Sequence, residues 1–176
     1  DQGLVGRFND VVADHAIETL SGLSGTPLVW AVGERVHVHL ADAGLPLVGR
    51  FTVPNSVKAI ASLVGQTLVE TETDHGDGRV TELHLVYNRP VSGAVYAPVS
   101  QRLLPLDDTW RRTLAERLWP TKRVPEVMGG DTASVRAFIR EYLFVSLFRA
   151  CAESLASENA SRLAAMQRAD KNIDEL

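Results

Sequence analysis

Phe8, Val11, Val12, Ile17 and Leu20 recur near helical spacing and predict a helix from Phe8 to Leu20, stopped by Ser21-Gly22 and Ser24-Gly25. Leu28-Val29-Trp30-Ala31-Val32 is a short apolar run closed by Gly33 and reads as a buried strand. Glu34 to Ala43 suits a helix ended by Gly44, and Leu47 to Thr52 a second strand. Pro54-Asn55-Ser56 opens a helix to about Glu70, with Ser56 as N-cap. Asp74-His75-Gly76-Asp77-Gly78 reads as a polar loop. From Thr81 to Tyr87, Leu83, Leu85 and Tyr87 alternate with Glu82, His84 and Val86, as in a strand. Asn88-Arg89-Pro90 is expected to turn the chain, and Tyr96 to Leu104 to pair back antiparallel, with Pro98 at an edge or bulge.

Asp107 to Leu118 is a short helix in this reading, and Pro120 to Gly130 a linker. From Asp131 to Leu176 no Pro or Gly occurs, a span far above usual helix lengths. Val135, Phe138, Tyr142, Val145, Ala152, Ala156, Leu163, Met166 and Ile173 trace a stripe along it, interrupted by Asn159 and Asp170. The bulky first half is expected to pack on the sheet. The Ala- and Ser-rich second half should leave the body and admit another helix at close range. Glu158 and Arg162, four apart, add helix support of about 0.2–0.5 kcal/mol. The pattern predicts a three-layer α/β/α domain over residues 1–130, plus a long C-terminal helix over residues 131–176. Its sheet should be five-stranded and mostly parallel, with the last strand antiparallel.

The chain has 176 residues, 45% of them hydrophobic and 23% charged, ordinary for a globular domain and wrong for a disordered one. A net charge of −4 argues against nucleic acid as principal partner. Cys151 is the only cysteine, so no internal disulfide forms. No apolar run reaches the length of a membrane span, and no signal peptide opens the chain. The start at Asp1 without Met, and the end at Asp174-Glu175-Leu176 in mid-pattern, read as those of a fragment.

Candidate chemistry is thin. Gly3 and Gly6 lack dinucleotide-fingerprint spacing, and there is no Walker A sequence. Gly33-Glu34, between strand and helix, offers one helix N-terminus to an anion, but Glu34 would repel a phosphate, and a structural turn is the better reading. His37 and His39 would share a face on a strand and diverge on the predicted helix, so a metal is not expected. Asp74, His75 and Asp77, with Glu70 and Glu72, lack the order of a calcium loop. Cys151 reads as a small buried hydrophobe. Ser157 and Ser161 have no base nearby in sequence. No catalytic residue, cofactor or metal is expected; the alternatives kept open are a small-molecule enzyme using Gly33 and a regulatory module that docks a partner on its long helix.

Three segments carry a resemblance. Asp1, Gly3, Leu4, Gly6 and Asn9 fit Ser-Asp-x-Gly-Leu-Cys-Gly-x-x-Asn, with Val5 for Cys and Arg7 where Gly is common. Leu103-Leu104-Pro105 follows the last strand. Glu153, Ala156, Ser157, Glu158, Arg162, Ala165, Met166, Ala169 and Asn172 fit Glu-x-x-Ala-Ser-Glu-x-x-x-Arg-Met-x-Ala-Met-x-x-Ala-x-x-Asn, with Leu163 for the first Met. Along nearly its whole length the chain resembles the γ subunit of F-type ATP synthases. An acid-Pro pair common in the family falls at about Met128-Gly129, and Leu106 to Gly130 matches poorly, which points to a divergent γ from an alternative bacterial ATPase. The resemblance implies a Rossmann-like domain and the lower C-terminal helix of a central-stalk rotor. It also implies as partners the α and β subunits of the catalytic ring, the ε subunit and the membrane ring of c subunits. The place implied is the cytoplasmic face of the bacterial inner membrane, peripherally, and the exposed stripe of a lone fragment is expected to pair with a second copy or to fray beyond about Ala165.

Overall fold

In order, the chain folds as α1 (Phe8–Ser21), β1 (Val29–Val32), α2 (Glu34–Asp42), β2 (Leu47–Phe51), α3 (Val57–Gly76), β3 (Leu83–Ser92), β4 (Val95–Leu104), α4 (Asp108–Glu116) and α5 (Asp131–Asp174). This computed structural model describes residues 5–76, 80–123, 126 and 130–175, without the side chains of 73–76, 110 and 131. β1 and β2 pair in parallel, and β3 and β4 antiparallel. The fold is mixed α/β, with four strands in two separate pairs among the described residues. The parallel pair needs the crossover helix α2 between its strands, because a parallel connection cannot be a tight turn.

Each pair has its own core. Ala13 of α1, Ala31 of β1 and Leu40 of α2 are buried together. Ile60, Val64 and Leu68 of α3 meet Leu103 of β4 and Leu143 and Leu147 of α5 in the larger core. α1 ties the two halves: the Phe8 ring stands edge-on to Tyr96 of β4 at 4.8 Å, and the Asn88 side chain donates to the Phe8 carbonyl at 2.9 Å.

Two differences from the sequence reading bear on function. Asn88-Arg89-Pro90 is strand, not turn: β3 runs on, Asn88 opposite Pro98 and Pro90 opposite Tyr96, and the chain reverses after Ser92 at Gly93. Proline is tolerated because neither strand of this pair has a second neighbour among the described residues that would need its missing N–H. α3 also continues beyond Glu70 to Gly76, taking in Asp74 and His75, expected in a loop. Asp77 and Gly78 lie outside the described residues.

Candidate functional site

The dominant feature is α5, whose 44 residues extend about 66 Å at 1.5 Å per residue. The central row of its seat on the body is a ladder at steps of four, Ile139, Leu143, Leu147, Cys151 and Leu155, flanked by Tyr142, Phe144, Phe148 and Ala152 and packed on α3 and on the β3–β4 pair. Burial pushes the Cys151 thiol up to about 11, so it stays protonated and packs as a small hydrophobe. Beyond this seat the helix is increasingly exposed: Leu163 is 57%, Met166 49% and Ile173 70% exposed. Ala156, Asn159 and Asn172 are exposed too.

A polar cluster borders the ladder. Arg89 of β3 donates from Nη2 to the Tyr87 hydroxyl and from Nε to the Glu153 carboxylate at 3.2 Å. Arg149, one turn back on α5, donates to the other oxygen of Glu153 at 2.7 Å. Burial alone would push the Glu153 carboxyl up, but hydrogen bonds from Arg149, Arg89 and Tyr87 outweigh it and hold the carboxyl below its ordinary value. One turn on, Ser157 is buried and its hydroxyl donates to the Glu153 carbonyl at 2.9 Å. Glu158, 6% exposed, accepts from Arg162 Nη2 at 2.8 Å, the pair expected from their spacing.

The structure thus brings together Glu153, Ser157, Glu158 and Arg162 along one stretch of α5, but leaves Ala156, Met166 and Asn172 outward. Gly6, with φ of 59°, makes the turn into α1, a backbone conformation that suits glycine. Asn9 faces the cleft described below. Leu103 is fully buried, and the Leu104–Pro105 peptide is cis. Asp1, Gly3 and Leu4 lie outside the described residues. Sequence reasoning missed Arg89 and Asn88 as anchoring residues. An Asn-Arg-Pro string carries a strong local turn signal, and nothing local announces partners 64 and 80 residues away.

The Gly33 amide, which would have met an anion, donates to the Phe51 carbonyl at 2.9 Å. Glu34 pairs with Arg50. His39 turns to α1, with Nε2 3.0 Å from Asp14 and Nδ1 3.7 Å from Asp10. Among the described residues no group of three His, Cys, Asp or Glu is placed to hold a metal.

A cleft of about 630 Å³ separates the two strand pairs. Val29 to Val32 of β1 line it, and so does the run from Val80 to Tyr87 that leads into β3. Successive side chains of a strand point to opposite faces, so an unbroken run of lining residues means that a strand's backbone edge, not one face, borders the space. Val12 and Ala16 of α1, Leu63 and Thr67 of α3, and Leu147 and Cys151 of α5 complete the walls.

An α/β body with one long projecting helix, seated by an apolar ladder and a polar cluster, is the class the fold defines. A family described as ATP synthase matches residues 1–176. The chain is 31% identical to the ATP synthase gamma chain of Parafrankia sp. (strain EAN1pec), and 30% identical to that of Nocardioides sp. (strain ATCC BAA-499 / JS614). Each alignment covers the whole chain and 60% of the relative. Among solved structures, the central stalk of the Tetrahymena thermophila mitochondrial ATP synthase matches with a TM-score of 0.65 and 25% identity, over 97% of this chain and 72% of that one. The rotor of the Euglena gracilis mitochondrial enzyme matches in fold, with a TM-score of 0.64 and 16% identity over 99% of this chain and 65% of that one. The chain belongs to the ATP synthase gamma family, and it spans about 60% of the length of the curated gamma chains it matches.

Proposed function

We propose that this chain is a non-catalytic rotor part: the base and lower shaft of the central stalk of an F-type ATP synthase, coupling ion passage through a membrane ring to ATP synthesis on the catalytic subunits. The observation that carries the reading is the 44-residue helix seated on an α/β body in a gamma-family chain. A torque-bearing part needs a stiff helix fused to a rigid base and no reacting centre. Residues 1–130 serve as the body and 131–176 as the base of the shaft. The partners in this reading are the α and β subunits around the shaft, and ε and the ring of c subunits at the base. The matched stalk structures of the Tetrahymena and Euglena mitochondrial enzymes, which include the c ring and F1, support this. No helix among the described residues is long and apolar enough to cross a membrane, and the part works peripherally, at the cytoplasmic face of the bacterial inner membrane.

The finer fold in this reading is one five-stranded sheet, with a further strand lying in the cleft between β1 and β3. Among the described residues neither β1 nor β3 has a strand neighbour on the cleft side, and two such edges facing one space favour it, as do the helices α1, α3 and α5 that line that space. Gamma chains longer than this one have the residues to supply the strand.

The test is assembly. The gamma chain carrying these residues should complete an α3β3 ring and rotate in it during ATP hydrolysis, while residues 1–176 alone show no heat of ATP binding. Micromolar ATP binding by the isolated chain, or failure to enter the ring, would reject the rotor in favour of an enzyme or a regulatory module. In isolation the outward stripe of α5 has reason to self-associate, since covering Leu163, Met166 and Ile173 removes apolar surface from water at about 25 cal/mol per Å². Sedimentation velocity should therefore show a concentration-dependent dimer that Met166→Lys abolishes, and a monomer at every concentration would remove the proposal.

A further inference from the structure

We propose that Arg89 is a register key: by meeting Glu153 it fixes where α5 sits along its own axis on the sheet. The inference takes only its purpose, a shaft that must not slip on its base, from the rotor reading.

Apolar packing discriminates between positions one turn apart only by side-chain volume, not by polarity. The central row of the seat of α5 is Ile139, Leu143, Leu147, Cys151 and Leu155, at steps of four, flanked by Tyr142, Phe144, Phe148 and Ala152. Moving the helix by four residues, about 6 Å, puts each residue of the row into its neighbour's place. Along this row an apolar side chain then replaces an apolar one, except where Asn159 reaches the place of Leu155. One-turn ratchets between packed helices are a known mode of motion because ridged surfaces have such near-equivalent positions.

The polar cluster removes the equivalence in both directions. Sliding α5 one way brings Arg149 to the place of Glu153, setting guanidinium against the Arg89 guanidinium. Sliding it the other way brings Ser157 there, and Arg89 loses its carboxylate. Only the observed register puts an acid opposite Arg89, with Tyr87 holding the guanidinium from the strand side and Arg149 steadying Glu153 from the helix side. Single polar residues specify register in other helix assemblies by the same logic.

Spin labels on Val91→Cys and Glu141→Cys, in the 176-residue chain with Cys151→Ala, report the position of α5 against β3 by pulsed electron–electron distance measurement. Val91 and Glu141 are exposed, so the labels leave the seat intact. The parent should give one narrow distance. Arg89→Met and Arg89→Glu should each add a population offset by up to about 6 Å, with helix content by circular dichroism unchanged. The swap Arg89→Glu with Glu153→Arg should restore the single distance. Both single variants keeping the one native distance would overturn the proposal. Should either single variant unfold, the swap decides: a native distance upholds the key, and a mixed or unfolded swap rejects it. Assembly into the catalytic ring plays no part in this readout, so its failure is separate from failure of the rotor reading.

Discussion

In a full-length gamma chain carrying these residues, the backbone amides of Trp30 and Val32 exchange with solvent roughly a hundredfold more slowly than in residues 1–176 alone, a gain of about 2.7 kcal/mol in local opening energy. The choice of amides follows from β1. Val29 donates to the Pro46 carbonyl at 3.4 Å, and Gly33 to the Phe51 carbonyl at 2.9 Å. Strand N–H groups alternate in direction, so Trp30 and Val32 point away from β2, toward the cleft. A strand seated there accepts both. Hydrogen exchange read by NMR or mass spectrometry checks it, and equal rates in the two proteins would remove the fifth strand. Because the partner segment is the variable, Val29 serves as internal control: its amide is already bonded and should change little.

Ile60→Ala lowers stability by about 2–5 kcal/mol, the usual cost of emptying a buried aliphatic site. Ile60 is 0% exposed, at the meeting of α3, β4 and α5. The neighbours Leu103 and Leu147 are held by a strand and by the long helix, so they cannot collapse far into the gap. For a chain of this size each kcal/mol lowers the melting temperature by about 2–4 °C. Val91→Ala, on the exposed hairpin end, should cost almost nothing. Thermal denaturation of both variants checks the contrast, and equal melting temperatures would mean that α3 and α5 do not share one core.

Both predictions turn on contacts between distant segments, and that is where sequence reading stopped. The elements themselves were legible: strands β1 and β2, the Phe8 helix, the Tyr96 to Leu104 strand and the breaker-free α5 all stand close to where periodicity and Gly or Pro signals put them. The Glu158–Arg162 pair was legible too, since helical spacing alone places the two side chains together. The gamma-family motif on α5 was a matter of residue order, which folding does not alter.

Tertiary structure decided the rest. Asn88-Arg89-Pro90 looks like a turn from its own composition. It is strand because β4 pairs with it as far as Val95 and because Asn88 and Arg89 have distant partners in Phe8 and Glu153. Ala13 and Ala31 do not announce themselves as core, yet both are fully or nearly fully buried, since small side chains let α1 approach β1. The number of strands in one sheet belongs to the same class: strands are local, but their pairing is not. Local sequence therefore determined which segments are helix or strand and which family the chain resembles, because those depend on neighbours along the chain. The seating of α5, the cleft and the Arg89–Glu153 pair depend on residues tens of positions apart, whose meeting is set by packing of the whole body.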